Sequence, residues 1–320
     1  METLLSHISF FTRAPSQTKI KVSSMHIPVL CEESIRGLNI KEGGIYVDCT
    51  TNRGGHSLKI AKALKKKGTL ICIDLDQDAL KEAEQEIRKF KHIPTLHFVH
   101  SNFRHLPSIL KNLGITHVDG ILADLGVSSE ELDKSKRGFS FLRDEPLLMT
   151  FDAHPTEDMT TAYDIVNHWN ESTIADILYG FADETYRGRI ASAIVNARKE
   201  KPIKTTLELV EIIRNAVPAV YRHRKTHFAT KTFQALRMAA NDELGSINDL
   251  IEALPNILSS SGRACIITFH STEDRIVKQG LRAHTDTLKA ITKKAILPTK
   301  EEISRNPRSR SAQLRIVERI

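Results

Sequence analysis

Short apolar runs alternate with stretches whose apolar positions recur every three or four residues. The runs Ile45–Cys49, Leu70–Ile73, Leu96–Val99 and Val118–Leu122 predict strands. Between them, Ser57–Leu64, Ala79–Lys89 and Leu106–Leu113 carry helical periodicity. Regular β–α alternation then gives right-handed crossovers and a Rossmann-like α/β fold with a mostly parallel sheet. After Leu125 the pattern changes. Residues 140–228 show helical periodicity and no clear strand, with helices expected at Thr185–Lys199 and Thr206–Val217. A long helix is expected from Thr230 to Leu244, continuing to Leu258, followed by strands at Ala264–Phe269 and Gln313–Val317. Two domains in series would leave those last strands without a sheet. The economical reading is a core at 26–139 and 229–320, interrupted by an inserted α-helical domain at 140–228.

Three of the early strands run into an aspartate: Asp48, Asp74 and Asp124. The first is followed by a small-residue turn, Thr50–Gly55, and then a helix. Strand, acid, glycine turn and helix together build a nucleotide pocket at the carboxyl end of a parallel strand. Gly54 and Gly55 permit close backbone approach, and the helix start offers free N–H groups. Asp74 stands twenty residues beyond Gly54, a spacing at which an acid commonly binds a ribose hydroxyl. Asn52 stands where the dinucleotide pattern has glycine, which favours a nucleoside cofactor without pyrophosphate, such as S-adenosylmethionine. Asp76 reads as a helix cap for the segment from Ala79. Asp124 is placed to accept a hydrogen bond from an exocyclic amine of cofactor or substrate, or else only caps its turn.

Residues 267–275, Ile-Thr-Phe-His-Ser-Thr-Glu-Asp-Arg, concentrate polar groups at another strand end and read either as a site wall or as a salt-bridged helix start. No Gly-x-Ser-x-Gly elbow accompanies the adjacent His270 and Ser271, which argues against a hydrolase triad.

Charge adds a polyanionic partner. The 320 residues carry a net charge of +7, and four arginines fall within residues 305–315. A second basic stretch, Tyr221–His227, lies in the helical region. Clustered arginines bind phosphates, and beside a nucleoside pocket they indicate RNA or DNA. No apolar run reaches the roughly 18 residues of a membrane span. The four cysteines (Cys31, Cys49, Cys72, Cys265) lack a Cys-x-x-Cys pair, so reduced buried thiols are expected and a zinc site is not. Residues 1–25 contain a single acid, Glu2, and read as a disordered leader; a transit peptide, or initiation at Met25, are the other readings.

Several long motifs resemble one family, the bacterial 16S ribosomal RNA cytosine N4-methyltransferases (ribosomal RNA small-subunit methyltransferase H). They are His26–Leu30, Asp48 with Gly54–Ser57, Asp119–Ser129, Arg137–Phe141, Ala229–Arg237, Asn241–Leu244, Phe269–Arg275 and Asn306–Ser311. The resemblance covers about His26 to Arg319. It implies a class I S-adenosylmethionine methyltransferase fold, and methylation of N4 of one cytidine in the decoding centre of the small subunit. It implies cofactor contacts at Gly54, Gly55, His56, Asp74, Phe103 and Asp124, and at position 131, where Glu131 replaces the family's glutamine. The chain departs from the pattern also at Leu148, Thr150 and Thr272. On this reading Asp124 holds the target amine, while Arg275, Arg308 and Arg310 track RNA phosphates. The partners are then 16S ribosomal RNA and the small subunit, without a membrane or a metal, in the cytoplasm, and a homodimer is compatible. Two other readings stand beside it: a methyltransferase with another target, and an RNA-binding ribosome-assembly factor without turnover.

Overall fold

The computed structural model describes residues 28–320; the leader expected at 1–25 lies outside them. The first half alternates as the pattern requires: α1 (Cys31–Leu38), β1 (Ile45–Asp48), α2 (Gly55–Leu64), β2 (Thr69–Asp74), α3 (Gln77–Arg88), β3 (Thr95–His100), α4 (Leu106–Asn112) and β4 (Val118–Asp124). A helical stretch follows, with α5 (Ser129–Lys134), α6 (Ala162–His168), α7 (Glu171–Ala182), α8 (Arg187–Glu200), α9 (Thr206–Ala216), α10 (Ala219–Arg222), α11 (Thr230–Ala240) and α12 (Glu243–Ile257). The chain then returns through β5 (Leu258–Thr268), α13 (Ser271–Ala283), β6 (Leu288–Ala290), α14 (Lys300–Arg305) and β7 (Gln313–Arg319).

Among the described residues the strands form one seven-stranded sheet in the order β3-β2-β1-β4-β5-β7-β6. β1 to β5 pair in parallel, whereas β7 runs antiparallel to both β5 and β6. The order reverses between β1 and β4, so a crevice opens beyond their carboxyl ends, where open α/β sheets bind ligands. This is the class I methyltransferase arrangement. One core packs Ile71, Ile73, Ile121 and Ile266 beneath α4 and α12, and another packs Leu70, Cys72, Leu122 and Ile267 beneath α1 and α2. The Cys49, Cys72 and Cys265 thiols are buried and free. No helix among the described residues is long and apolar enough to cross a membrane.

A third core is built from helices and the segments that join them. Met149, Ile165, Leu178, Ile194, Leu209 and Leu236 pack there, between β4 and β5 in the chain. The Thr161 and Thr205 side chains cap α6 and α9 in reciprocal capping boxes, which explains why each helix begins where it does.

Two elements differ from the pattern. The expected continuous helix from Thr230 to Leu258 is two helices, because Asp242 adopts φ +44° and breaks the ladder between α11 and α12. The expected strand at Ala264 begins at Leu258 instead, through a bulge over the polar Ser259–Gly262.

Candidate active site

The acid that ends β1 does not face the crevice. Asp48 is fully buried, its Oδ2 accepting from Ser57 Oγ at 2.5 Å and its Oδ1 from the Thr50 N–H at 3.2 Å. It ties the start of α2 to the strand end, which corrects the expectation that this acid belongs to the nucleotide pocket itself. The turn it anchors is left-handed at Asn52 (φ +47°), a conformation asparagine tolerates better than most residues. Gly54 is also left-handed (φ +81°), and a Cβ there would lie 3.1 Å from Ala83 Cβ. Glycine therefore lets α3 pack against the turn.

Asp74, at the end of β2, takes up the turn from the other side. Its Oδ2 accepts from the Asn52 N–H at 2.6 Å and its Oδ1 from the Asp76 N–H at 2.8 Å. Burial pushes its carboxyl up to about 6, against the pull of those backbone donors. Asp76 caps α3 through the Asp78 and Ala79 N–H groups, as its position in the sequence indicated. Phe103 opens a short 3-10 turn after β3, where Asn102 anchors the turn to α12 through Ser246 Oγ at 3.0 Å.

These groups border a cavity of about 810 Å³. Gly55, His56, Asp74, Phe103, Asp124 and Glu131 all line it; Gly54 shapes the turn from behind. The volume is in the upper part of the range for small-molecule sites. His56 is buried, with Nε2 3.0 Å from the Val29 carbonyl and Nδ1 3.7 Å from Asp124 Oδ2. The carbonyl can only accept, so a neutral His56 carries its hydrogen on Nε2 and turns the Nδ1 lone pair towards Asp124. Asp124 is held by its backbone, whose N–H donates to Thr50 Oγ1 at 2.7 Å. Burial pushes its carboxyl well above the ordinary range, with the charges of Asp48 and Glu273 adding to the effect. Its Oδ1 is buried and has no hydrogen-bond partner.

The opposite wall comes from α11, α12 and the start of α13. Arg237 forms a two-pronged pair with Glu243 at 2.7 and 2.9 Å. Glu273 is completely buried beside it, its Oε2 accepting from the Phe269 N–H at 2.8 Å. Burial alone would raise the Glu273 carboxyl; the His270 ring and the Arg237 guanidinium outweigh it and hold the group below its usual range. His270 caps α13 by accepting from the Glu273 N–H at 3.3 Å. Residues 267–275 are thus both a capped helix start and a cavity wall. Asp274 turns away and pairs with Arg315 at 2.7 Å.

Glu131 closes a capping box on α5, accepting from the Ser128 N–H at 2.7 Å. Burial pushes its carboxyl up to about 7, although Arg137 lies 3.6 Å away. Arg137 went unassigned in the sequence and is the main clamp of the site. It bonds Asp76 Oδ2 at 2.8 Å and the carbonyls of Thr150 and Phe151. The departures at 148–150 sit in the segment that it holds. Thr150 Oγ1 donates to the Asp152 carbonyl at 2.9 Å, and Thr272 Oγ1 to the Phe181 carbonyl at 3.0 Å.

Arg308 and Arg310 lie at the cavity rim, Arg308 paired with Asp133 at 2.9 Å. Arg275 does not line the cavity; it is exposed on α13, one turn beyond Thr272. No metal-holding cluster of histidine, cysteine or acidic residues occurs among the described residues.

Comparison with known proteins gives a consistent picture. Residues 23–320 match the model of the MraW methylase family. The chain is 44% identical over 316 residues to the ribosomal RNA small subunit methyltransferase H of Brevibacillus brevis, covering 93% of this chain and 99% of that one. It is 46% identical over 312 residues to the protein of the same name from Clostridium botulinum strain Kyoto, covering 92% and 99%. The Clostridioides difficile protein of that name is 42% identical over 312 residues, with the same coverage.

Proposed function

The chain belongs to the MraW methylase family, and from that premise we propose that it transfers a methyl group from S-adenosylmethionine to N4 of a cytidine in 16S ribosomal RNA, at the decoding centre of the small subunit. The observation that carries the reading is the convergence of Gly55, His56, Asp74, Phe103 and Asp124 on one cavity at the switch point of the sheet. The relatives' names supply the substrate class.

The residues fit the cofactor. Each Asp74 oxygen accepts one backbone N–H, and a carboxylate has about four lone-pair sites, so two remain for a ribose diol. Phe103 offers a ring face for adenine, and the helix start after Gly54 offers N–H groups to a carboxylate. The buried, unpartnered Asp124 Oδ1 requires a donor that the chain itself does not provide.

When bound, S-adenosylmethionine supplies a methyl group already activated by its sulfonium charge. Positioning therefore dominates what the protein must do. The lone pair of a cytidine amine is delocalised into the ring. Accepting a hydrogen bond from that amine at Asp124 Oδ1 would sharpen its nucleophilicity and fix its direction. His56 stands 3.7 Å from the other oxygen of the same carboxyl, and the target base leaves its stack to reach the cavity. Arg308 and Arg310 meet the flanking phosphates at the rim, and the helical unit recognises the RNA. The reaction belongs to the cytoplasm, where the small subunit is. Calorimetry with S-adenosylmethionine tests the cofactor half of this reading. One site per chain, lost in Asp74→Ala, is expected; no binding by the native chain would overturn it.

A further inference from the structure

On the helical unit, away from the cavity, arginines are parked over tyrosines and paired with no acid. The Arg187 guanidinium lies 4.1 Å from the centre of the Tyr179 ring, Arg189 5.9 Å from that of Tyr186, and Arg224 4.8 Å from that of Tyr221. Tyr186 and Tyr221 meet edge to face at 4.9 Å, so these groups form one patch. All three arginines are exposed, and Tyr179 is 54% exposed.

The charge of this patch is not neutralised. Arg88, Arg104, Arg263 and Arg315 each have a carboxylate partner, whereas among the described residues Arg187, Arg189 and Arg224 have none. Glu184, in the turn beneath them, is fully buried and accepts from Tyr221 Oη at 2.6 Å and the Tyr186 N–H at 2.8 Å. Asp183 is exposed and forms no ion pair with them. Arg187 and Arg189 stand in the first turn of α8, which contains no acid, and cations there oppose the helix dipole.

The patch reaches towards the site. Its turn joins α13 through the Thr272 bond to the Phe181 carbonyl, and Lys231 Nζ donates to the Asp183 carbonyl at 2.8 Å. Arg275, exposed on α13, follows Thr272 by three residues. His270, two residues before Thr272, lines the cavity.

We propose that Tyr179, Tyr186, Arg187, Arg189 and Arg224 form a platform that takes a single-stranded RNA segment flanking the target nucleotide, with Arg275 and Lys231 leading the backbone towards the cavity. The exposed Tyr179 ring and the half-buried Tyr186, beside guanidinium groups without a carboxylate partner, suit nucleic acid: a base stacks on a ring, and the guanidinium groups stack or bind phosphate. The platform rests on the RNA-methylation reading but is a separate surface, so the two can fail separately.

The test is binding of unmodified small ribosomal subunits across a salt series, comparing the full native chain with Arg187→Ala/Arg189→Ala, Tyr179→Ala and Tyr179→Trp. The double arginine variant is expected to bind at least tenfold more weakly at low salt, with a shallower dependence on salt. Tyr179→Ala is expected to lose several-fold, and Tyr179→Trp to retain native binding. S-adenosylmethionine affinity and thermal unfolding serve as controls for folding and should not move. Native-like binding by the folded arginine and Tyr179→Ala variants would overturn the platform while leaving the methylation reading intact. No binding by the native chain would overturn both.

Discussion

His56 Nδ1 stands 3.7 Å from Asp124 Oδ2, while the other oxygen of that carboxyl is buried with no hydrogen-bond partner. One oxygen of Asp124 thus faces the His56 ring, and the other has no partner in the chain. Asp124→Ala is expected to lower turnover about a hundredfold or more, the usual scale for a positioned proton-contacting group. Asp124→Asn can turn its NH2 towards His56 and its carbonyl towards the amine, so it should retain more activity than alanine. Initial rates at saturating cofactor check this, and native-like turnover by the alanine variant would remove Asp124 from the mechanism.

Cofactor affinity should depend on pH through Asp74. Its carboxyl is raised to about 6, chiefly by burial, and it must be ionised to accept two hydroxyl donors well. Affinity is therefore expected to be flat above pH 7 and to weaken by up to about tenfold per unit below pH 6. In Asp74→Asn, calorimetry should find weaker binding with that dependence removed.

Stability should depend on pH through Glu131. The folded chain keeps this proton up to about pH 7, against 4.5 for the free side chain. The native state therefore binds more protons than the unfolded state, and stability falls as pH rises between those values and stays lowered above them. Glu131→Gln keeps an acceptor for the Ser128 N–H and has no such dependence. Urea unfolding should find it more stable than the native chain by about 1–3 kcal/mol at pH 8, with little difference at pH 4.5.

Much of this was legible in the sequence, for physical reasons. Fully apolar runs such as Leu70–Ile73 and Ile121–Ala123 are the mark of parallel strands buried on both faces, and they lie in interior strands of the sheet. Asp74, Phe103 and Asp124 follow directly from strand ends, so their convergence needed only the sheet order. The short β6, with just Leu288 buried, leaves no periodic signal. The break at Asp242 is a left-handed residue inside a helical pattern, which periodicity passes over. Asp48 looks like Asp74 in sequence and points the other way because Ser57 captures it. The Arg137 clamp joins residues 61 positions apart and has no local signature.

That clamp gives a further expectation. Arg137 and Asp76 have side chains only 7% and 13% exposed, so Arg137→Ala leaves a nearly buried carboxylate and two carbonyls without their donor. A loss of about 3–5 kcal/mol is expected on breaking such a pair. Hydrogen exchange should locate the loosening at residues 149–152 and the start of α3, and protection unchanged there would contradict the clamp.

The most direct measurement is mass spectrometry of the nucleosides of small subunits that lack the modification, after incubation with the native chain and S-adenosylmethionine. One N4-methylcytidine per subunit is expected, absent when Asp74→Ala is used. An unmodified cytidine pool, or a methyl group on any other atom or base, would contradict the assignment.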